Sequence, residues 1–244
     1  MFSTVAPAGV PTLTKDQMIE VDRIMVEDLG IDLVRMMENA GRALARLVQA
    51  RVGARTGTHA TFLVGSGGNG GGALVAARRL TGWKWDVSVY TSRPTGDYSG
   101  VIGEQLTILE NLGVPIHDHK LPDSVGLTTA LIDGLVGYSL AGAPHGRTAE
   151  LILWANDQTA PTISLDVPSG FSAATASVLS PAISADATLT LALPKIGLEG
   201  ATENVGDLYC ADIGVPASLY REAFDIDIGD LFRESDIVRI AGTE

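Results

Sequence analysis

ATFLV (60–64), GSGGNGGG (65–72) and ALVAARRL (73–80) follow one another without a break. The first is a short apolar run with β-branched Thr61 and Val64 and aromatic Phe62, which suits a strand. The second has six glycines in eight residues and bends freely. The third has the alanine and leucine content of a helix. Strand, glycine loop, helix is therefore predicted here, and the pattern extends outward. Further β-rich runs stand at 85–91 (WDVSVYT), 129–136 (TALIDGLV), 162–166 (TISLD), 187–193 (ATLTLAL) and 207–213 (DLYCADI), with helix-like stretches at 72–81, 100–112 and 147–157. Strands alternating with helices predict an α/β fold with a mainly parallel central sheet. No repeat, low-complexity tract or linker interrupts the chain, so one domain over 1–244 is expected: two N-terminal helices in 14–50, an α/β core in 59–216 and a C-terminal tail.

Before the core, Thr14 and Gln17 have the spacing of a capping box, and Met18, Val21 and Met25 follow at helical intervals up to Gly30. A second amphipathic run places Val34, Met37, Leu44 and Val48 on one face. The net charge of −12 excludes a nucleic-acid surface, which needs clustered Lys and Arg. It also gives no long-range attraction to a phosphate, so any anion site must work through local dipoles. Cys210, the one cysteine, sits in an apolar run and reads as a packed strand residue in a chain suited to a reducing cytoplasm. The first residues do not read as a signal peptide, and no apolar stretch reaches the roughly 18–20 residues of a membrane span.

A glycine-rich turn between strand and helix aims free amide hydrogens and the positive helix end at one point, which suits a diphosphate. Gly65, Gly67 and Gly70 satisfy GxGxxG. An ordinary dinucleotide oxidoreductase would then carry an acid near the end of the next strand to hold a ribose hydroxyl. This chain has YTSR (90–93) there. Asp86 comes too early, Arg93 favours a 2′-phosphate at most, and there is no Tyr-x-x-x-Lys pair for hydride transfer.

MENAG (37–41), GSGGNGGGALVAARRL (65–80), LIDGLVGYSLAG (131–142), ISLDVPSG (163–170), LTLALPKIGL (189–198) and GDLYCADIGVP (206–216), in this order, resemble the YjeF N-terminal family, whose enzymatic members are NAD(P)H-hydrate epimerases. The resemblance covers roughly residues 12–216. It implies a Rossmann-like three-layer α/β/α fold, a homodimer and a bound potassium ion (K+). It also implies a substrate, NADH or NADPH hydrated at C6 of the nicotinamide ring, whose R and S forms the epimerase interconverts for a separate dehydratase. By position, the potassium ligands fall on Asn69, Asp133 and Ser169, oxygen donors that suit a hard cation. The substrate contacts fall on Gly68, Asn69, Gly70, Gly71 and Gly72, on Gly137, Tyr138, Ser139, Leu140, Ala141, Gly142 and Ala143, and on Asp166. A carboxylate ending an apolar strand is costly unless it has work or a partner, and Asp166 is read as the general acid/base near the C6 centre. Lys195 after the last apolar strand would orient the substrate or pair with Asp166.

The chain departs from the family pattern GNNGGDG. Gly68 replaces an Asn, Gly72 the Asp, Ala73 a Gly, Arg79 a usual His, and Ser139 a common Gly. The altered loop keeps two alternatives open: a family member repurposed for another isomerase- or lyase-type reaction, and a non-catalytic ligand-binding module. Of the remaining candidates, His117 and His119 read as a solvated loop rather than a metal grip, and His145 as surface. Trp83 and Trp85 are expected to pack. Glu38 and Asn39 have a pocket-facing reading and a helix-capping or interface reading of equal weight.

Overall fold

The computed structural model of the protein describes residues 2–53, 57–121, 128–198 and 200–241. Eleven strands occur among them: β1 Ser3–Val5, β2 His59–Val64, β3 Asp86–Thr91, β4 Ile116–His117, β5 Ala130–Gly134, β6 Thr162–Leu165, β7 Phe171–Ser172, β8 Ser177–Val178, β9 Ala187–Leu191, β10 Asp207–Ala211 and β11 Ile237–Ile240. The α-helices are α1 Lys15–Arg23, α2 Leu33–Val52, α3 Gly68–Gly82, α4 Gly100–Asn111, α5 Gly146–Asn156, α6 Thr202–Val205 and α7 Ala217–Phe224. Nine strands form one sheet in the order β1-β11-β10-β9-β6-β5-β2-β3-β4, parallel throughout except between β10 and β11. Strands β7 and β8 make a small antiparallel hairpin.

Alternation along β2 shows how the layers form. Phe62 and Val64 point into a core shared with α2, α3 and α4, while Leu63 points to the opposite face, under Leu151 and Ile152 of α5. Helices therefore cover both faces of the sheet, the three-layer arrangement expected of a parallel sheet. Helix α2 lies close on α3 because residue 41 is glycine; a Cβ there would meet Val75 Cβ at 2.5 Å and Gly72 O at 2.6 Å.

The capping box at the start of α1 is present, with Gln17 N–H donating to Thr14 Oγ1 (3.1 Å) and Thr14 N–H to Gln17 Oε1 (2.8 Å). A π-type turn over Ile24–Asp28 carries the helix on to Gly30, which takes φ +67°. Met18, Val21, Met25, Met37, Leu44 and Val48 are buried as their periodicity implies. Two expectations need correction. Val34 is 37% exposed, because it lies in the first turn of α2, ahead of the stretch that packs on α3. Trp83 is 39% exposed beyond the end of α3, while Trp85 packs as expected. The segment expected as a tail is also structured: it contributes α7, and β11 pairs with both β10 and β1.

The chain leaves β2 for β3 and β4 on one side, then returns to β5 on the other side of β2. That reversal opens a crevice at the carboxyl ends of β2 and β5, where doubly wound sheets bind their ligands. Among the described residues no helix is long and apolar enough to cross a membrane.

Candidate active site

A pocket of about 680 Å³ occupies that crevice. Its wall is supplied by strand ends: Ser66 to Asn69 after β2, Ser92 and Arg93 after β3, Leu135 to Ser139 after β5, and Asp166 after β6. Met36 and Met37 of α2 and Ile213 beyond β10 close the apolar side.

The glycine loop divides its work. Gly65 packs directly on the turn after β5, since a Cβ there would lie 1.7 Å from Leu135 O, and a Cβ on Gly70 would lie 1.9 Å from Gly65 O. Gly67 and Gly68 have open space around them and face the pocket with Asn69. Gly70, Gly71 and Gly72 are buried in the body of α3, with Gly71 against Met37 and Gly72 against Leu165 and Ala40. Of the expected substrate loop, the structure thus brings Gly68 and Asn69 to the pocket and sets the next three glycines behind it. In the second loop Gly137, Tyr138 and Ser139 line the pocket; Leu140 is half-buried, its carbonyl accepting from Lys15 Nζ (3.4 Å), and Ala141, Gly142 and Ala143 are exposed.

Asp166 stands where β6 stops. It takes φ +65°, and Val167 N–H donates back to Leu165 O (2.8 Å), so the chain turns sharply at the carboxylate. Aspartate tolerates this left-handed region better than most residues, at a cost of about 1–3 kcal/mol that clusters at functional sites. The residue is 3% exposed and the neighbouring Lys195 2%. Lys195 Nζ donates to Asp166 Oδ1 (2.5 Å), Leu191 O (2.9 Å) and Thr190 Oγ1 (3.5 Å), engaging all three ammonium hydrogens. Tyr138 N–H donates to Asp166 Oδ2 (3.1 Å), and the Tyr138 ring lies 5.7 Å from Lys195 Nζ. This is a buried, hydrogen-bonded ion pair of the kind that survives desolvation, with one carboxylate edge on the pocket.

Asp133 is fully buried at the end of β5, in register with Leu63 and Ser164. Its Oδ1 accepts from Ser169 Oγ (2.5 Å) and Leu135 N–H (3.2 Å), its Oδ2 from Ser164 Oγ and Ser169 N–H (both 2.8 Å). Among the described residues no Lys, Arg or His pairs with it, and burial pushes its carboxyl above the usual carboxylate range. Ser169 Oγ also lies 3.2 Å from Val136 O, so its hydrogen has two acceptors to choose between. Asn69 donates through Nδ2 to Leu165 O (2.8 Å) while its backbone carbonyl packs beside Gly134, next to Asp133.

Among the pocket residues that escaped the sequence reading, one carries a charge. Asp22 of α1 lines the pocket and accepts from the Tyr138 hydroxyl at 2.6 Å. Burial raises its carboxyl above the ordinary range against the opposing pull of that phenol, and desolvation with the nearby Asp22 raises the Tyr138 hydroxyl. The available signal was a carboxylate one helical turn from Met18 on an otherwise apolar face. The remaining candidates have structural partners. Glu38 bridges Arg78 and Arg79 of α3, and Asn39 Nδ2 donates to Ile213 O (3.0 Å). His117 stacks on Tyr90 (4.7 Å) and exposed His119 meets Asp118 at 3.2 Å; no metal-binding group of His, Cys, Asp or Glu occurs among the described residues.

A parallel sheet with helices on both faces, its crevice at the switch point and a buried ion pair on the crevice wall, defines a doubly wound protein built to hold a small ligand. Residues 34–197 match the family described as YjeF-related protein N-terminus, and the chain belongs to that family. It is 39% identical over 244 residues to an NAD(P)H-hydrate epimerase of Dehalogenimonas lykanthroporepellens, which covers 100% of this chain and 98% of that relative. It is 34% identical over 223 residues to the bifunctional NAD(P)H-hydrate repair enzyme Nnr of Salinibacter ruber, covering 84% of this chain and 41% of that longer protein. The crystal structure of yeast ynu0 superposes with a TM-score of 0.84 at 20% identity, over 95% of this chain and 100% of the yeast chain, a likeness of fold.

Proposed function

We propose that this chain is an isomerase that interconverts the R and S hydrates of NADH and NADPH at C6 of the nicotinamide ring. The observation that carries the proposal is the Asp166 carboxylate, gripped by Lys195 and opening onto a pocket the size of a nucleotide site, in a chain kin to epimerases over its whole length. C6 of the hydrate is a carbinolamine carbon, and inversion there needs neither oxidant nor hydride acceptor. Asp166 takes the hydroxyl proton as the C6–N1 bond breaks, the bonding pair passes to nitrogen and the oxygen becomes an aldehyde carbonyl. Asp166 then delivers the proton to N1. Rotation about C5–C6 presents the other carbonyl face, and the same steps in reverse close the ring with inverted configuration. Lys195 and the Tyr138 amide hold the carboxylate in place, and the methionine wall excludes water from the open form. The pyrophosphate rests on the Gly67–Gly68 turn at the start of α3.

Asn69, Asp133 and Ser169 are in this reading the ligands of a potassium ion. The residues fit such a group: Asp133 is a buried carboxylate that pairs with no Lys, Arg or His among the described residues, and turning one hydroxyl, that of Ser169, toward Val136 O opens a lone pair on Asp133. When bound, the ion would supply positive charge beneath the substrate loops. The exposed apolar side chains Ile19 of α1, Val26 and Leu29 of the π-type turn and its end, and Leu33 and Val34 at the start of α2 are the face we assign to a second copy of the chain.

The test follows R-to-S conversion of hydrated NADPH, with and without potassium, by wild type and Asp166→Asn. The amide cannot shuttle the proton, so the variant should lose about 10²–10⁴ in rate while remaining folded. Wild-type conversion no faster than the spontaneous rate would overturn the assignment.

A further inference from the structure

We propose that Arg93 makes this pocket selective for the 2′-phosphorylated nucleotide, so that hydrated NADPH is preferred to hydrated NADH. The inference rests on the epimerase reading and names the substrate within it. The crevice spans the adjacent strand ends of β6, β5, β2 and β3. With the reacting ring at Asp166 after β6 and the pyrophosphate on the Gly67–Gly68 turn after β2, the adenosine half continues to the end of β3. The whole span is three strand spacings, about 14 Å.

The group waiting there is cationic. Arg93 is the one Lys or Arg among the described residues lining the pocket, and none of the ion pairs among the described residues engages it. Its backbone is fixed in place: Thr91 Oγ1 donates to Arg93 O (2.8 Å), Ser92 N–H and the Tyr98 hydroxyl both donate to Val64 O (2.9 and 3.0 Å), and Arg147 Nε donates to Thr91 O (2.7 Å). The guanidinium is therefore carried on a turn anchored to β2, the strand that delivers the glycine loop. The pocket's acids, Asp22 and Asp166, come from α1 and from the end of β6, and none lies at the end of β3 to accept from a free ribose diol. A diol is recognised by a carboxylate, and a phosphate dianion by the paired N–H groups of a guanidinium. The chemistry at the end of β3 is the second kind.

Calorimetry on the intact chain at low salt, with adenosine 2′,5′-bisphosphate and 5′-AMP as probes, isolates the added phosphate. Wild type should bind the bisphosphate about 10- to 100-fold more tightly, and Arg93→Ala should bring the two to within about threefold. Equal affinities in wild type, no binding of either probe, or a preference that survives Arg93→Ala each overturns the inference. In turnover, Arg93→Ala should lower kcat/KM for hydrated NADPH by about the same factor and leave hydrated NADH within about twofold. Equal losses on both substrates would place Arg93 on a shared phosphate and overturn the selectivity. If wild type prefers the bisphosphate yet epimerises neither hydrate, the epimerase reading fails and the assignment of Arg93 stands.

Discussion

Restoring the family's carboxylate by Gly72→Asp should cost stability here rather than improve the pocket. Gly72 lies at the fifth position of α3, and Gly71 N–H already donates to Gly67 O (3.2 Å), so the free amides of the helix end lie before it. A Cβ at residue 72 would stand 2.9 Å from Leu165 Cδ2 and 3.6 Å from Ala40 Cβ. Leu165 is fully buried, so its side chain yields only by repacking within the core beside Asp166. Overpacking of this kind costs about 1–3 kcal/mol. An acid buried without a partner adds about 1–3 kcal/mol, and leaving glycine returns only a few tenths in helix propensity. The sum is about 2–6 kcal/mol, equivalent in a chain of this length to a fall in Tm of about 4–24 °C. The penalty also has a sign in pH. The introduced carboxyl would hold its proton to higher pH in the folded state than in the unfolded one, so the variant should lose stability relative to wild type as pH rises above about 4. Thermal melts and urea titrations of wild type, Gly72→Ala and Gly72→Asp at pH 4.5 and 7.5 measure both effects; the alanine variant carries only the packing part and none of the pH dependence. A Gly72→Asp protein that melts with wild type and epimerises faster would show that the acid reaches the ligand, and the packing argument would be refuted.

Two further outcomes follow from buried groups. Tyr138→Phe leaves Asp22 without its phenol donor and should cost about 1–2 kcal/mol. Burial already holds the Asp22 carboxyl above its unfolded value, so the folded chain retains a proton that the unfolded chain releases, and stability falls as pH rises above about 4. Losing the phenol should raise that carboxyl further, so urea titrations should find the variant's deficit larger at pH 7.5 than at pH 4.5; equal deficits would contradict this. The Cys210 thiol, pushed up to about 12 by burial, should resist disulfide reagents at pH 8 until urea unfolds the chain. Rapid native labelling would place it outside the core.

The fold was legible because its signals are periodic and local. An apolar run, a glycine cluster and a helical run mark β2, the loop and α3, and their repetition marks the parallel sheet. The elements that escaped prediction lack such signals. Strand β4 has two residues and β1 three, and each exists because a neighbouring strand offers its edge. Strand β11 (IVRI) is apolar enough, but its place beside β10 is a long-range pairing that no local pattern encodes.

The candidate site divides along the same line. Asp166 was legible as a carboxylate at the end of an apolar strand, and Lys195 as its possible partner; the 2.5 Å contact joins residues 29 apart through the pairing of β6 with β9. Glycine gave an ambiguous signal, since the same residue opens a loop to a ligand and lets a helix approach a strand. GSGGNGGG does both: Gly67 and Gly68 face space, whereas Gly70 to Gly72 are held against backbone and side chains. Asp22 was illegible for a different reason. Its partner Tyr138 is 116 residues away and belongs to a loop that gains its position only when β5 enters the sheet. The clasp therefore ties the N-terminal helix to the same turn whose amide holds Asp166, so changes in α1 reach the Asp166 carboxylate through Tyr138.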